Sequence, residues 1–544
     1  MYGKKKVAVS GFLVVLLLGG AACFGQGGAS TASAGSASIA PGTMTRIGTI
    51  DDRFQSYNIE AVEVTGGRFW KPFAKAGDVA PAAEKPASAM TAPGGMDPSL
   101  YEYRAPIDLS NKRLRKLAAA LGPAYLRVSG TWMNSTYFQD SDALAPTSPP
   151  KGFNSVLTRQ EWKGVVDFSR AVDAGIVTSF ATSAGTRDDA GVWTPEQAKK
   201  LMDYTKSVGG HIAAAEFMNE PTFAEMGGAP KGYDALAYAN DFAVFKKFVQ
   251  SDAVGMVVLG PGGVGEGSAL APSFMHLVKT EDILAATGPA FDAYSYHSYG
   301  GVSSRCGGMG APATSPEAAL SEEWLARGGK IEAYYAGIRD RLMPGKAIWL
   351  TETAEAACGG DGWASDFIDS FRYLNQLGSL AKSGVQVHMH NTLASSDYGL
   401  LDQKTLEPRP NYWAAVLWRK LMGTTVLDPG TSPAESLHLF AQCMRGKPGG
   451  VTLLAINLDK SATQTMAIPT GAERYTLTSA DLLSASVELN GSELKLGAGD
   501  ALPAIKGATV RAGQVTFAPE SITFLALPKA DNASCKSAVS ADCK

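Results

Sequence analysis

The sequence predicts an α/β fold, a (β/α)8 barrel followed by an all-β, sandwich-like accessory domain. Between about residues 50 and 425, eight short apolar runs alternate with helical patterns. After Pro429 the pattern changes to short strands separated by turns, which is typical of an all-β domain. An open doubly wound sheet is the competing fold, but no Gly-x-Gly-x-x-Gly motif follows an early strand.

The eight apolar runs are the predicted barrel strands, and the helical patterns lie between them. The predicted barrel strands are Phe54–Ile59, Tyr125–Val128, Ile176–Phe180, Ala213–Phe217, Val257–Leu259, Ala293–Tyr296, Ala347–Leu350 and Val385–Met389. The predicted helices include Leu114–Leu121, Pro195–Val208, Tyr233–Val249, Trp324–Leu342 and Ser365–Ser383. In the β domain the predicted strands are Leu437–Met444, Val451–Leu458, Ala472–Ser479, Ser484–Leu489, Gln514–Phe517 and Ser521–Leu527.

Length and composition indicate more than one domain. The chain has 544 residues, of which 45% are hydrophobic and 19% charged, an ordinary globular composition in a chain longer than one typical domain. We predict a flexible linker rich in Ala, Ser, Gly and Thr at 24–43 and the (β/α)8 barrel domain at 50–428. A β domain at 429–528, which could gain a strand from 44–50, and a loose tail at 529–544 complete the chain.

The first 23 residues have the pattern of an export signal. Lysines at 4–6 precede an apolar run at 7–18 and a few small residues, and the run is too short to span a membrane. This predicts a signal peptide and a secreted or periplasmic protein. Cys23 resembles the cysteine of a bacterial lipobox, although Gly20 stands where a leucine is usual. Lipid anchoring through Cys23 to the cell surface is therefore the alternative.

Net charge and cysteine spacing exclude some classes of protein. The formal charge is −3 and the pI about 6.1, so no basic excess indicates binding to nucleic acid. The chain has no Cys-x-x-Cys pair and no histidine cluster at metal-ligand spacing, and we expect neither a metal site nor a cofactor. Cys306 and Cys358 follow the sixth and seventh predicted strands, so both loops should emerge at one barrel face. A disulfide could join them if their Cα atoms approach to about 7 Å.

Two glutamates stand where the fourth and seventh predicted strands end. The fourth strand runs into EFMNEP (216–221) and the seventh into TET (351–353). Catalytic groups of a (β/α)8 barrel lie at these strand ends, so Glu220 and Glu352 could flank one scissile bond. Glycoside hydrolysis requires such a pair, one acid to protonate the leaving oxygen and one carboxylate to attack the anomeric carbon. Glu216 lies within the predicted strand and is interpreted as structural.

These motifs belong to a longer set that resembles glycoside hydrolase family 79, the family of heparanase and microbial β-glucuronidases in the clan of retaining (β/α)8 glycosidases. The matching stretches span about 120–427 in the family's order. The resemblance implies a barrel with a β accessory domain and the cleavage of β-glucuronide bonds. The stretches are ALGPAYLRVSGTW (120–132), AAEFMNEP (214–221), YSYHSY (294–299), IWLTETA (348–354), DYGLLD (397–402) and PNYWAAVLWRKLMGTTVL (410–427).

The resemblance also implies roles for individual residues. Glu220 would be the acid/base and Glu352 the nucleophile. Asn219 would bond the sugar 2-hydroxyl, a contact that strengthens in the transition state. Tyr299, or alternatively Tyr296, would donate a hydrogen bond to Glu352 and hold it ionised.

Further positions are implied to face the substrate, and two of them depart from the family pattern. Tyr398 would contact the glucuronate carboxylate, together with the backbone of Ser395–Asp397. Heparanase has a glycine-containing loop here, whereas this chain has ASSD, and Asp397 would have to turn away from an anion or be protonated. Glu60 replaces a shorter Asp. The positions implied are His297, Glu60, Thr131, Tyr398 and Ser396. The alternatives are that His297 is a packed histidine at a strand end and that Tyr398 only packs the barrel rim.

Three more polar residues lie on predicted barrel strands. His388 and His390 are two residues apart on the eighth strand and so face the same side. They either contribute to the pocket or pack inside the barrel. Arg127, on the second strand, is interpreted as a buried ion-pair residue below the site rather than a ligand.

Three functions compete. The first is an exo-acting β-glucuronidase that takes a glucuronic-acid-containing glycan or glucuronide. The second is an endo-acting enzyme of heparanase or hyaluronan type, and the third a non-catalytic carbohydrate-binding surface protein. The two intact carboxylates argue against the third. A sulfated polyanion favours a basic cleft, and no cluster of Lys and Arg flanks the predicted strand ends. The sequence therefore favours the exo-acting enzyme.

Overall fold

Eight parallel strands, β1 to β8, close into the predicted barrel, with each strand hydrogen-bonded to its neighbours in chain order. The computed structural model describes residues 38–74, 97–267, 277–309 and 314–536. The predicted signal peptide and Cys23 lie outside these described residues. The barrel strands are β1 Gln55–Glu60, β2 Ala124–Ser129, β3 Ala174–Thr178, β4 Ile212–Glu216, β5 Val257–Gly263, β6 Ala293–Val302, β7 Ile348–Ala357 and β8 Val387–His390.

Helices cover the outside of the barrel and pack apolar faces against the strands. Each predicted helix is present with ends shifted by a few residues, except that Trp324–Leu342 is divided into α7 and α8. The sequence analysis missed α3, which begins at a capping box formed by Thr158 and Glu161. The helices are α1 Ala61–Thr65, α2 Lys112–Ala119, α3 Arg159–Ala171, α4 Glu196–Ser207, α5 Ala235–Asp252, α6 Thr280–Thr287, α7 Glu322–Leu325, α8 Arg327–Leu342, α9 Ile368–Ser383 and α10 Pro410–Leu421.

Strands β6 and β7 extend well beyond their predicted ends at Tyr296 and Leu350. They pair with each other as far as Val302 and Ala357, and His297 lies opposite Glu352. The extensions consist largely of small and polar residues, so the apolar pattern does not reveal them. Because the pairing continues, side chains that were expected in loops are held on regular strands.

The C-terminal domain is an antiparallel sheet, as the sequence predicts, beside a separate two-stranded ribbon. Strand Arg46–Thr49 forms one edge next to β9, and the order continues β10, β11, β18, β13, β14 and β15, with β16 also on β13. Strands β12 and β17 form the ribbon. The strands are β9 Met422–Leu427, β10 Leu437–Met444, β11 Val451–Asn457, β12 Gln464–Ile468, β13 Ala472–Thr478, β14 Glu488–Leu489, β15 Ser492–Glu493, β16 Ala508–Val510, β17 Gly513–Phe517 and β18 Ser521–Leu527.

Two segments that the sequence analysis assigned elsewhere belong to this β domain. Strand β9 lies before the predicted boundary at residue 428, yet it pairs with β10. In the predicted linker, Ile39 is buried, and its N–H donates to the carbonyl of Ala467 at 3.1 Å. Ile39 and Leu427 from these segments belong to the buried apolar core of this domain.

Two disulfides cross-link the described chain. Cys306 and Cys358 form the predicted bridge between the loops after β6 and β7, with their Cα atoms 6.5 Å apart. The bridge between Cys443 and Cys535 was not predicted, and it holds part of the expected loose tail against β10. Among the described residues, no helix is both long and apolar enough to cross a membrane.

Candidate active site

A strained turn after β4 positions the first candidate carboxylate. Glu220 adopts a left-handed backbone conformation, with φ of 48°, immediately before Pro221. A non-glycine residue is uncommon in this region, and such strain concentrates at functional sites. Asn134 braces the turn, because its side-chain amide bonds both the backbone N–H and the carbonyl of Asn219, at 2.8 and 2.9 Å. The turn therefore holds Asn219 and Glu220 at the barrel mouth.

Glu220 and Glu352 meet at this mouth. A carboxylate oxygen of one lies within 4.8 Å of a carboxylate oxygen of the other. The Glu220 side chain is 14% exposed and that of Glu352 is 7% exposed, so both are largely buried. The structure thus brings together the two residues that sequence analysis nominated from separate strands.

Arg127 lies beneath the pair and connects the catalytic strands. Its Nη1 donates to Glu352 Oε2 at 2.8 Å, and its Nη2 donates to Glu216 Oε2 at 2.9 Å. The same Nη2 donates to Asn219 Oδ1 at 2.7 Å, which leaves the Asn219 amide N–H2 as the group it can offer a substrate hydroxyl. The prediction of a buried ion pair is confirmed for Arg127. Its direct contact with Glu352 was not foreseen.

Tyr299, and not Tyr296, contacts Glu352. The Tyr299 hydroxyl donates to Glu352 Oε1 at 2.5 Å. Tyr296 packs on the other side of β6, where its ring lies 5.0 Å from that of Tyr335. Successive residues of a strand point to opposite faces, so the odd separation of the two tyrosines places only one of them at the mouth.

His297 lies between the carboxylates. Its Nδ1 is 3.0 Å from Glu220 Oε1 and 3.7 Å from Glu352 Oε2. Its Nε2 is 3.8 Å from Glu216 Oε1 and 3.2 Å from Arg127 Nη2. The ring is fully buried. The sequence placed His297 beside the substrate, but the spacing could not show that one nitrogen faces both candidate carboxylates.

The environment shifts the two pKa values in opposite directions. Burial raises the pKa of Glu220 above its ordinary value, and the charge of Glu352 adds to this, although His297 opposes it. Burial also acts to raise the pKa of Glu352, but the charges of His297 and Arg127 and the Tyr299 hydrogen bond outweigh it and lower that pKa. Glu220 is therefore suited to hold a proton while Glu352 is ionised.

Glu60 lies at the end of β1 as a buried acid. Burial and the charge of Glu352 raise the pKa of Glu60 well above its ordinary range. Its Oε2 has no hydrogen-bond partner among the described residues. Gly130 makes room for it, since a Cβ there would collide with this carboxylate. Thr131 follows Gly130 at the start of the turn after β2 and is partly exposed.

Tyr398 is buried at the barrel mouth. The side-chain amide of Asn391 donates to the hydroxyls of both Tyr398 and Tyr299, at 3.3 Å each. Behind it, His390 Nε2 bonds the Tyr398 carbonyl at 2.7 Å. His390 thus supports a mouth residue from within the barrel, and His388 bonds Gln376 at 3.3 Å.

In the Ser395–Asp397 segment, which the family resemblance places against the uronate carboxylate, the donors of Ser396 and Asp397 are used within the protein. The Ser396 hydroxyl and the Asp397 N–H both donate to the carbonyl of Gly359, at 2.9 and 3.1 Å. The Ser396 N–H donates to Gln403 at 3.1 Å. The Asp397 carboxylate is turned away from the mouth and pairs with Arg305. Other parts of the chain thus satisfy the polar groups of Ser396 and Asp397, which the sequence pattern alone does not reveal.

Glu220, His297 and Glu352 also have the donor types that bind metal ions. One ligand atom from each of these three described residues lies within 4.8 Å of the other two, which is close enough to share one ion. Arg127 places a permanent positive charge 2.8 Å from Glu352, which opposes a cation there. The arrangement is better suited to acid–base and nucleophilic chemistry, with one protonated and one ionised carboxylate facing the same space.

A closed (β/α)8 barrel with this carboxylate pair at its mouth defines a glycoside hydrolase. The model of the glycosyl hydrolase family 79 N-terminal domain matches residues 104–378, which is half of the chain. The chain belongs to glycoside hydrolase family 79, as the sequence motifs indicate.

Named relatives cover most of the chain. This chain is 27% identical to heparanase of Mus musculus over 495 aligned residues, and the alignment covers 78% of this chain and 88% of that protein. It is 26% identical to baicalin-beta-D-glucuronidase of Scutellaria baicalensis over 466 residues, 78% of this chain and 84% of that protein. A solved 4-O-alpha-L-rhamnosyl-beta-D-glucuronidase from Fusarium oxysporum shares the fold, with a TM-score of 0.57, 15% identity and coverage of 90% and 99% of the two chains.

Proposed function

We propose that this protein is an exo-acting β-glucuronidase that retains the anomeric configuration, with Glu220 as acid/base and Glu352 as nucleophile. The observation that carries the proposal is the pair of carboxylates within 4.8 Å of each other. Retaining enzymes hold the two carboxyls about 5–5.5 Å apart, whereas inverting enzymes leave about 6.5–9.5 Å for a water. The opposite pKa shifts of the two glutamates support the same assignment.

In the proposed reaction, Glu352 attacks the anomeric carbon while Glu220 protonates the departing oxygen. Tyr299 and Arg127 hold the attacking carboxylate by one hydrogen bond on each oxygen. The Asn219 amide bonds the 2-hydroxyl. Water then hydrolyses the glycosyl-enzyme, and Glu220 takes the proton of that water.

The uronate carboxylate would be held by Tyr398 and by a loop after β7. Gly359 and Gly360 both have positive φ, at 85° and 78°, and a Cβ on Gly360 would lie 3.1 Å from Tyr398 Cβ. Their N–H groups donate to no other described residue. The carbonyl of Gly359 faces Asp397, so the Gly360 N–H of the same peptide points away from it. Successive N–H groups in such a turn form an anion site.

Exo action on an uncharged or weakly charged aglycone is supported by the arginines around the mouth. Arg305 pairs with Asp397, Arg104 with Glu63 at 3.3 Å, and Arg127 with Glu216 and Glu352. Because carboxylates neutralise these cations, they provide little attraction for a sulfated polyanion.

We also propose that the protein is exported. Disulfides persist mainly in oxidising compartments, and the described chain contains two. Sequencing the N-terminus of protein recovered from the native host, together with its intact mass, would detect cleavage near residue 23 and any lipid on Cys23. An uncleaved N-terminus on cytoplasmic protein would contradict export.

The decisive assay compares substrates in the wild type and in Glu220→Ala. Wild type should cleave an aryl β-glucuronide with retention, seen by NMR of the first-formed sugar anomer. Glu220→Ala should retain the glycosylation step for an activated aryl leaving group, which needs no proton, and lose it for an alkyl leaving group. Equal losses would count against Glu220 as the acid. In parallel, release of internal fragments from heparan sulfate or hyaluronan would show endo action and overturn the exo assignment.

A further inference from the structure

One ring nitrogen of His297 faces both catalytic glutamates. The distances from Nδ1 are 3.0 Å to Glu220 and 3.7 Å to Glu352, and the ring is fully buried. The proposed reaction makes these two carboxylates exchange their charge states. A single group in contact with both therefore lies beside the negatively charged carboxylate both before and after each step.

The groups that face His297 come from three other strands or their ends. They are Arg127 from β2, Glu216 and Glu220 from β4 and its turn, and Glu352 from β7. Arg127 Nη2 has two hydrogens, and Glu216 and Asn219 accept them at 2.9 and 2.7 Å. The 3.2 Å contact of this nitrogen with His297 Nε2 therefore need not be a hydrogen bond to a neutral ring. The geometry is compatible with an imidazolium between carboxylates.

We propose that His297 is a cationic positioning residue whose one charge stabilises Glu352 in the free enzyme and Glu220 in the covalent intermediate. This inference rests on the proposed retaining mechanism and adds to it a group that contacts both glutamates. His297 acts on the reaction through these carboxylates and makes no bond to the reacting carbon.

The charges of the proposed steps balance around this ring. In the first step an oxygen of Glu352 bonds the anomeric carbon, and the bond to the aglycone oxygen breaks with its electron pair on that oxygen. The oxygen takes the Glu220 proton, so Glu352 becomes a neutral ester and Glu220 an anion. In the second step water bonds the anomeric carbon and gives a proton to Glu220, while the ester bond breaks and leaves Glu352 an anion. One negative charge thus moves between two positions that both lie near Nδ1.

A protonated His297 at neutral pH is consistent with its surroundings. Burial and the charge of Arg127 lower the pKa of His297, but the charge of Glu352 and the contacts with Glu216 and Glu220 outweigh them and raise the pKa to about 9. With Glu220 protonated, the charges of Arg127 and His297 then offset those of Glu216 and Glu352. The net charge stays the same when the glycosyl-enzyme forms, so the buried site avoids a change that would be costly in low dielectric.

The test is the pH profile of kcat/KM for His297→Asn on an aryl β-glucuronide. Asparagine can still donate a hydrogen bond near the Nδ1 position, but it carries no charge. Removing a cation raises the pKa of both glutamates, so both limbs should move to higher pH, by about one unit or more. A ring that only fills space would lower the plateau and leave both limbs in place, and that result overturns the proposal.

His388→Asn is the matched control. His388 is also fully buried on a barrel strand, but burial and the nearby charge of His390 lower its pKa well below the ordinary value, so the ring is neutral. Replacing a neutral ring removes no charge, and the limbs of this variant should coincide with those of the wild type. A shift equal to that of His297→Asn would mean that any barrel-histidine substitution moves the profile, and this also overturns the proposal.

A second measurement uses the wild-type enzyme and does not depend on a variant that folds. In protein labelled with ¹⁵N-histidine, His297 should show two protonated ring nitrogens at pH 7, both free and after trapping with 2-deoxy-2-fluoro-β-D-glucuronyl fluoride. A neutral His297 in either state rejects the inference. Mass spectrometry of the trapped enzyme tests the mechanism separately, because absence of a glycosyl adduct on Glu352 would reject the retaining mechanism itself.

Discussion

Strand β7 carries two buried glutamates, three residues apart, in two different environments. Glu352 faces the barrel mouth, where Arg127 and His297 supply positive charge and its pKa is lowered. Glu355 faces outward towards α9, and burial followed by the charge of Asp369 raises its pKa well above the ordinary value. Both side chains lie in the protein interior, so burial alone does not decide their charge.

Glu355 belongs to an outward-facing group of three buried acids that, among the described residues, has one cation, Arg372, beside it. Glu355, Asp361 and Asp369 are all buried. The cation beside them, Arg372, makes two hydrogen bonds to Asp369, at 2.6 and 2.7 Å. Glu355 accepts from the Asp361 N–H at 3.0 Å, while its other oxygen has no partner among the described residues. The comparison shows that the supply of nearby cations decides whether a buried carboxyl holds a charge or a proton.

The largest expected effect is a loss of kcat that occurs when Glu352 is replaced and not when Glu355 is replaced. Glu352→Gln should reduce kcat on every β-glucuronide by roughly 10⁴-fold or more, because it removes the proposed nucleophile. Glu355→Gln should retain near-wild-type kcat, because an amide replaces a neutral acid away from the mouth. Steady-state kinetics on purified proteins checks both. Comparable loss in Glu355→Gln would show that the outward-facing group acts in catalysis.

Tyr299→Phe should raise the pKa of Glu352 while leaving the Glu352 side chain in place. The lost bond is charge-assisted and worth about 1.5–3 kcal/mol. Since it favours the ionised form, its removal raises the pKa of Glu352 and moves the acidic limb of kcat/KM up by about one pH unit. The basic limb, which reports Glu220, should stay in place. A uniform loss at every pH would assign Tyr299 a packing role instead.

Tyr398→Phe tests the uronate side of the mouth. It should lower kcat/KM on an aryl β-glucuronide by about 1–3 kcal/mol of transition-state stabilisation. Residual activity on the matching β-glucoside should barely change, because that substrate has no carboxylate. Parallel losses on the two substrates would show that Tyr398 shapes the mouth without recognising the uronate.

The smallest effect is a gain in stability for Glu355→Gln. A carboxyl with a raised pKa stays protonated in the fold but ionises in the unfolded chain above about pH 4.5, so it destabilises the native state as pH rises. Glutamine removes this penalty, which grows as the pH rises above the pKa of the unfolded chain. Thermal unfolding should show a higher Tm than wild type at pH 7 and no gain at pH 4. A gain independent of pH would indicate a packing effect.

The sequence was sufficient for the barrel because each of its strands has an apolar run that alternates with helical patterns. It was also sufficient to nominate Glu220 and Glu352, since strand ends can be located by pattern. The lengths of β6 and β7 were underestimated because Gly and Ala continue those strands without a hydrophobic signal. Their mutual pairing, a tertiary effect, sustains them.

The partners of the site residues could not be inferred in the same way. His297 and Glu220 are 77 residues apart, and their contact depends on the closure of the barrel. Spacing likewise could not show that Asp397 pairs with Arg305, 92 residues away, or that Cys443 and Cys535 meet. A capping box at Thr158 was readable before α3, and this signal was overlooked.

The N-terminal strand Arg46–Thr49 lies at the edge of a sheet whose other strands begin more than 370 residues later. Asn532 adds a second link, since its amide donates to the carbonyls of Pro41 and Met44 at 2.8 and 2.9 Å. During synthesis on the ribosome, this strand therefore has no partner until the whole barrel has been translated. A fragment starting at residue 429 would lack both this strand and β9, leaving β10 as an open edge that favours aggregation.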